Sequence, residues 1–275
     1  MSDGRGVTLM GPEAARRGLI VARVRNRDAA GRSHRPLGRS PAHLFRVQLL
    51  GGFTATDDGG AIELPAASRR VLALAAVYRA PLPRALAAER LWPHLSTRIA
   101  HGSLRTALSR LHAAQPALLA IAPDQVCLTD AVTVDVHEVE TLAKRLITGS
   151  VPDADAGEPL DRLTLTLLPD CHDDWAILER DRLQDLFLHA LEAHAERLTA
   201  GGEYAAALDA IHAAIAAEPL RESAACTLIA IHLAEGNRAR AARCYLEFRD
   251  RLRSVLGIEP SAEMRAMVAS LIPAG

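Results

Sequence analysis

The chain has 275 residues, of which 49% are hydrophobic, so it is long enough for two domains that each have a core. Its formal net charge is only −1, but residues 1–42 hold nine arginines against three acids, and residues 43–115 hold nine against four. The remaining residues, 116–275, hold fourteen basic and twenty-six acidic residues. This distribution excludes an evenly charged protein and indicates a module that binds a polyanion, joined to a second, acidic module.

The cysteines and the apolar runs narrow the class of protein further. Cys127, Cys171, Cys226 and Cys244 form no C-x-x-C pair and show no spacing with histidine that is typical of a zinc site. We therefore expect reduced thiols, no metal and a cytoplasmic protein. The longest apolar run near the start, residues 18–22, is too short for a signal peptide or a membrane span, so we expect no membrane partner.

No motif of an enzyme is present in the sequence. There is no phosphate-binding G-x-x-x-x-G-K-[ST], no G-x-S-x-G and no H-E-x-x-H. Asp170, Asp173 and Asp174 precede a helix predicted to begin near Trp175, where acids cap free amides and favour the helix dipole. We therefore expect no catalytic residue, no cofactor and no metal ligand.

In chain order, residues 1–42 show no lasting period and are interpreted as a disordered basic leader. From Phe45 the pattern alternates as in a half-buried strand, and turn glycines then separate two further short strands that end at Leu64. A helix is predicted from about Ala67 to Arg79 and a second from Pro83 to Trp92.

A third helix is predicted after Ser96 or Thr97, either of which can serve as its cap. Beyond Pro116, two short strands form a hairpin around residues 123–125. Strands, three helices and a terminal hairpin in this order predict a winged helix-turn-helix over residues 43–135.

The third helix carries the most informative pattern. Leu104, Leu108 and Leu111 recur at i, i+4 and i+7, which gives one narrow apolar stripe, and no acid lies anywhere from residue 90 to residue 123. The opposite face is small, basic and rich in hydroxyl groups, and such a face fits a DNA major groove. The alternative for this segment alone is a solvated surface helix with scattered arginines.

This pattern predicts a set of side chains that bind DNA. Four side chains of the third helix are expected to reach the groove, and an arginine at the start of that helix is expected to contact phosphate. Two arginines at the start of the first helix are expected to make further phosphate contacts. The groove residues are Arg105, Thr106, Ser109 and Arg110, and the phosphate contacts are Arg98, Arg69 and Arg70. Trp92 and Leu104 are expected in the core.

From residue 136 onward the pattern is almost entirely helical. A glycine, an alanine and a bulky residue are followed thirty-four positions later by residues of the same kind, and Pro219 lies twelve positions after the alanine. They are Gly202, Ala207 and Ile211, followed by Gly236, Ala241 and Tyr245. This spacing is typical of a tetratricopeptide repeat, although Ala195 stands where the repeat usually has glycine. Residues 136–275 are therefore predicted to form a tetratricopeptide-like domain.

Several motifs occur together in a characteristic order. In the first half they are L-L-G-G-F at 49–53, L-W-P at 91–93, S-L-R-T-A-L-S-R-L at 103–111 and V-D-V at 134–136. In the second half they are D-D-W-A-I-L-E-R-D-R-L from 173, E-P-L-R-E-S-A from 218, H-L-A-E-G-N-R-A from 232 and L-G-I-E-P-S from 256. Through these motifs, residues 43–272 resemble the Streptomyces antibiotic regulatory protein family.

The resemblance implies an OmpR-like winged helix followed by a bacterial transcriptional activator domain. It also implies that the protein binds direct repeats in promoter DNA, contacts RNA polymerase holoenzyme and regulates a biosynthetic gene cluster. Two positions depart from the family pattern: Ser109 stands where some related sequences have tryptophan, and His112 where many have arginine. Because Ser109 is on the predicted groove face, the preferred bases are expected to differ.

The sequence thus predicts a mainly α protein with a small β component, and a DNA-binding transcriptional activator of which two protomers occupy DNA. Two alternatives from other classes remain. One is a helical-repeat adaptor whose basic winged domain binds protein. The other is a ligand-sensing repressor whose helical repeats enclose a small molecule.

Overall fold

The computed structural model describes residues 45–150 and 160–271, so the predicted leader over residues 1–42 lies outside the described residues. The strands are β1 (Phe45–Gln48), β2 (Thr54–Asp57), β3 (Gly60–Ala61), β4 (Leu82–Pro83), β5 (Leu119–Ile121), β6 (Gln125–Leu128) and β7 (Val132–Val134). The helices are α1 (Ala66–Tyr78), α2 (Arg84–Leu91), α3 (Thr97–Ala114), α4 (Asp135–Thr148), α5 (Asp174–Ala200), α6 (Tyr204–Ala217), α7 (Glu222–Ala234), α8 (Arg238–Leu256) and α9 (Ala262–Val268), with a 3₁₀ helix over Leu160–Thr164.

The first sheet has the strand order β3-β2-β1-β7. Strand β1 pairs antiparallel with β2 and parallel with β7, and its alternating burial places Phe45 and Val47 in the core. The first two predicted strands are thereby confirmed, whereas the third is only Gly60–Ala61 and ends three residues before Leu64, where it was predicted to end. Strand β7 was not predicted, because three residues carry too little periodicity and its pairing partner is far away in the sequence.

Helices α1, α2 and α3 pack together beside a second sheet of order β4-β6-β5. Leu72, Leu91, Leu104 and Leu111 are fully buried between them. The predicted bounds of α1 and α2 agree with the structure to within one or two residues, and β5 and β6 form the predicted hairpin. Ser96 is the N-cap of α3, but its hydroxyl makes no capping hydrogen bond. The predicted winged helix-turn-helix is confirmed.

The second half of the chain is helical, as predicted. Helices α5 and α6 pack against each other, and so do α7 and α8. Gly202 and Gly236, thirty-four residues apart, occupy the equivalent turns with φ values of 79° and 84°, a conformation that favours glycine. Ala207, Ile211 and Ala241 are completely buried where the paired helices touch.

Asp135 joins the two halves. Its Oδ1 accepts hydrogen bonds from the amides of Leu49 (2.9 Å) and Val136 (2.7 Å), and its Oδ2 accepts one from the amide of Leu50 (3.0 Å). Burial raises the pKa of this carboxyl, and the three amide donors act in the opposite direction. Asp135, the middle residue of the V-D-V motif, therefore fixes the start of α4 against the end of β1.

A backbone contact strengthens the same junction. The amide of Leu168 donates to the carbonyl of Leu49 at 2.8 Å, and the amide of Gly51 donates to the carbonyl of Thr166 at 2.8 Å. Leu168 adopts a φ of 43°, which is rare for a branched side chain. The segment that leads into α5 thus pairs with the chain that leaves β1.

A buried carboxylate on α4 forms ion pairs with cations from both halves of the chain. Glu140 lies 7% exposed and forms ion pairs with Arg79 at the end of α1, with Lys144 one turn along α4 (3.1 Å) and with Arg182 on α5 (3.2 Å). Burial alone would raise the pKa of the Glu140 carboxyl, but the hydrogen bond from Lys144 and the charges of Arg79 and Arg182 outweigh it and hold the pKa below its ordinary value.

Candidate nucleic-acid interface

Helix α3 is held in the winged domain by its apolar stripe. The buried residues of α3 are Ala100, Leu104, Ala107, Leu108 and Leu111. They pack against α1 and α2, and the buried Ser68 of α1 donates its hydroxyl to the carbonyl of Ala107 at 2.9 Å. Leu104 is therefore core, as predicted, and the orientation of α3 about its axis is determined by this packing.

The opposite face of α3 is solvent-exposed. Each side chain that the sequence predicts for DNA binding on this helix lies there: Arg98, Arg105, Thr106, Ser109 and Arg110. Gly102 shares the face, and a Cβ added to it would meet no atom within 4 Å. The helix thus presents a shallow surface with cations and hydroxyl groups around a position without a side chain. That these residues bind DNA stays a prediction.

The three arginines of this face are not engaged elsewhere. Over residues 45–150 and 160–271, the guanidinium groups of Arg98, Arg105 and Arg110 take part in no ion pair and no hydrogen bond. Each therefore keeps its full set of five donors for a phosphate or for the edge of a guanine. The Thr106 hydroxyl donates to the Gly102 carbonyl at 3.1 Å, and its oxygen remains able to accept a hydrogen bond.

The two arginines of α1 differ from each other. Arg69 is exposed in the first turn of α1, whereas Arg70 is half-buried. Arg70 binds Asp173 through two hydrogen bonds, donates to the Leu91 carbonyl at 2.6 Å and lies 5.9 Å from the ring centroid of Trp92. The structure thus gives Arg70 intramolecular partners that use the donors a phosphate would need.

The wing contributes no cation to this surface. Residues 111–143 contain neither lysine nor arginine, and Asp124 lies at the tip of the hairpin. Arg84, the first residue of α2, pins the hairpin, because its amide donates to the Asp124 carbonyl at 2.8 Å and its guanidinium to the carbonyls of Ala122 and Pro123 at 3.4 Å each. The cationic surface of the winged domain is therefore centred on α3.

The acids that precede α5 serve a purpose that the sequence did not reveal. Asp173 is the N-cap residue of α5, but its carboxylate makes no capping hydrogen bond. Instead it accepts from Arg70 and from the indole nitrogen of Trp175 at 3.1 Å. The prediction that Asp173 caps free amides is wrong, because an arginine 103 residues away competes for the same oxygens. Among the described residues, no group of three or more potential metal ligands comes together.

Comparison with known proteins finds a similarity for most of the second half of the chain. Residues 157–272 match the family model described as the bacterial transcriptional activator domain. The match covers less than half of the chain, from the 3₁₀ helix through α9. The match confirms the resemblance that the motifs of the second half indicate. A search of curated proteins finds no match.

The fold is similar to that of a solved structure from Mycobacterium tuberculosis, EmbR in complex with a low affinity phosphopeptide. The two align with a TM-score of 0.63 and 22% sequence identity over 82% of this chain. The chain spans 64% of the length of that relative. The likeness confirms a winged helix followed by a helical domain.

Across the described residues, no helix is long and apolar enough to cross a membrane.

Proposed function

We propose that this protein is a transcriptional activator that binds promoter DNA through the exposed face of α3. The observation that supports the proposal most directly is the presence of three unengaged guanidinium groups, Arg98, Arg105 and Arg110, on the exposed face of a winged-helix α3. The activator domain that follows in the chain supports the regulatory role. The acidic character of residues 116–275 leaves the winged domain as the part suited to a polyanion.

In this proposal α3 lies in the major groove. Arg105 and Arg110 donate to guanine edges or to phosphates that flank them, and the hydroxyls of Thr106 and Ser109 contact base edges. Arg98, in the first turn of α3, contacts phosphate. The helix can approach closely because Gly102 has no side chain to hold the base edges away.

Arg69 supplies a further phosphate contact from α1. Arg70 makes no phosphate contact in this proposal, because its guanidinium is bound to Asp173 and to the carbonyl of Leu91. We propose for Arg70 the separate task of fixing α1 and α2 to the start of the activator domain. The winged module over 43–135 and the activator module over 136–275 are then two functional parts joined by the contacts of Asp135 and Glu140.

The proposal extends to partners and targets. The protein binds direct repeats with two protomers, recruits RNA polymerase holoenzyme to the promoter and regulates antibiotic or other biosynthetic genes from the cytoplasm. No cofactor is required for DNA binding, because each proposed contact is made by a side chain of the protein itself.

The test begins with selection of double-stranded DNA by the full chain, followed by footprinting of the selected site. Arg105→Ala and Arg110→Ala are then compared with Arg243→Ala, an exposed arginine on α8 of the activator domain. Loss of a base contact weakens the selected site by about 1–3 kcal/mol and relaxes preference at one position. Loss of a phosphate contact weakens all sequences alike and lowers the salt slope by about 1.

Wild-type affinity in both α3 variants would contradict the assignment of α3 to the groove. In vitro transcription from the selected site then determines the sign of regulation. Increased transcription with RNA polymerase holoenzyme supports activation. Decreased transcription favours a repressor, and failure to select any DNA sequence favours an adaptor that binds protein.

A further inference from the structure

A cavity of about 440 Å³ lies at the junction of the winged domain and the activator domain. Its walls come from α1, from the turn that follows β1 and from the segment that leads into α5. Its volume falls in the range of about 300–1,000 Å³ that is typical of sites for small molecules, and such sites occur preferentially between domains. Of the residues proposed to bind DNA through α3, none lines this cavity, whereas Arg69 of α1 does.

The walls combine apolar surfaces with a few polar groups. Phe53, Leu168 and Trp175 provide apolar and aromatic surface. Arg70 and Asp173 neutralise each other along one side through their two hydrogen bonds. This combination of aromatic walls and a small number of placed polar groups is suited to an amphipathic molecule rather than to a bare ion.

The charge of the entrance favours an anion. Arg69 lines the cavity, is exposed, and has no ion-pair partner among residues 45–150 and 160–271. Helix α1 has no acid in its first turn, and Pro65 at its N-cap provides no capping hydrogen bond, so its positive end adds to the charge of Arg69. Asp170 is also exposed at the cavity, and it disfavours a ligand with more than one negative charge.

We propose that this cavity binds a small, largely apolar molecule that carries one anionic group, in the manner of an aromatic carboxylate. The aromatic body lies against Phe53 and Trp175, and the anion pairs with Arg69. This site shares Arg69 with the proposed DNA interface and is otherwise separate from the exposed face of α3. Its occupation is measured without DNA, so its failure would leave the proposed contacts of α3 unaffected.

The site is placed to influence the winged domain. Arg70, beside the cavity, binds Asp173 of the activator domain and the carbonyl of Leu91 at the end of α2. Helix α2 directly precedes α3 in the chain. A ligand that packs on this network therefore restrains the start of α5, α1 and the end of α2 relative to one another.

The test uses a matched pair of fluorescent probes, the anionic 1-anilinonaphthalene-8-sulfonate and the neutral N-phenyl-1-naphthylamine, with the full chain. The two tryptophans of the protein, Trp92 and Trp175, both lie at or beside the network of the cavity. We expect the anionic probe to bind with one-to-one stoichiometry and to accept energy from the tryptophans. Trp175→Phe removes one of the two donors, so it should reduce this transfer and leave that from Trp92, while the probe still binds.

Variants locate the probe. Ala66→Phe, at the exposed first residue of α1, and Ala73→Leu, in the wall, should each reduce affinity at least tenfold. Ala205→Phe, an exposed alanine in the first turn of α6, is the matched control and should bind like wild type. Arg69→Gln should weaken the anionic probe about tenfold and leave the neutral probe unchanged.

Equal binding of the anionic probe to wild type and Ala66→Phe would overturn the proposal. The Ala66→Phe comparison is decisive even if Ala73→Leu does not fold. Binding at several sites without energy transfer from tryptophan would also overturn it. An equal loss of both probes in Arg69→Gln would refute the assigned anion, because the guanidinium would then act through packing and not through charge.

Discussion

Arg70 of α1 and Asp173 at the start of α5 form a two-point ion pair across the junction of the two domains. The Nε of Arg70 lies 2.9 Å from Oδ2 of Asp173, and its Nη2 lies 2.8 Å from Oδ1. The same guanidinium donates to the carbonyl of Leu91, and the indole of Trp175 donates to the same carboxylate. One side chain therefore connects the first two helices of the winged domain to the first long helix of the activator domain.

The pair is expected to stabilise the folded protein by about 1 kcal/mol, since both side chains are partly exposed, at 35% and 24%, while the geometry is bidentate. A double-mutant cycle of Arg70→Ala and Asp173→Ala, measured by urea unfolding, should show this coupling. Arg70→Lys is the control, because it keeps the charge without the planar fork and should lose most of the coupling. Additive effects of the two alanine variants would contradict an interaction.

The sequence was sufficient to orient α3 but not to detect this ion pair. The stripe of Leu104, Leu108 and Leu111 is a local pattern, and burial against α1 and α2 follows directly from it. The pair between Arg70 and Asp173 spans 103 residues and leaves no local trace. An acid before a helix is compatible both with capping of the helix and with an ion pair to a distant cation, so the sequence pattern does not distinguish them.

The short strands illustrate the same limit. Strand β1 was predicted because alternation over four residues shows which side faces the core. Strands β4 and β7 have two and three residues, and each exists because a strand from elsewhere in the chain provides its hydrogen-bonding partners. The bonds between the chain near Leu49 and that near Leu168 arise in the same way. Non-local pairing of this kind has no periodic signal that a sequence can show.

Glu140→Gln should destabilise the protein by about 2 kcal/mol at pH 7, because it leaves three cations around a buried neutral amide. The pKa of the carboxyl is lowered in the folded state, so the ionised form stabilises folding above the ordinary pKa and this stability is lost as the pH falls. The difference between wild type and variant should therefore shrink below about pH 4.3.

Urea unfolding of both proteins at several pH values measures this difference. Glu247→Gln, which replaces an exposed glutamate on α8, is the matched control and should show a small difference at every pH. A Glu140→Gln effect that stays constant from neutral to acidic pH would show that the side chain acts through packing alone.

Gly102→Ala should raise the free energy of unfolding by about 0.5–1 kcal/mol. Glycine weakens a helix interior, Gly102 is exposed, and a Cβ at this position would meet no atom within 4 Å. Ala113→Gly, at an exposed position of the same helix, should have the opposite effect. Thermal unfolding of the two variants is the measurement, and destabilisation by Gly102→Ala would mean that the glycine has a role within the folded protein.

The last prediction concerns assembly on DNA. One α3 offers few base contacts, and typical specific affinity requires more, so the proposed direct repeats call for two protomers in the same orientation. A contact between the acidic residues of 116–275 in one protomer and the basic winged domain of the next would make binding cooperative. Inserting about 5 base pairs between the repeats turns the protomers to opposite faces of the duplex and should abolish cooperativity, whereas about 10 base pairs restores the common face. Quantitative mobility shifts on the three spacings decide the matter, and equally tight, cooperative binding to the half-turn site would rule out this assembly.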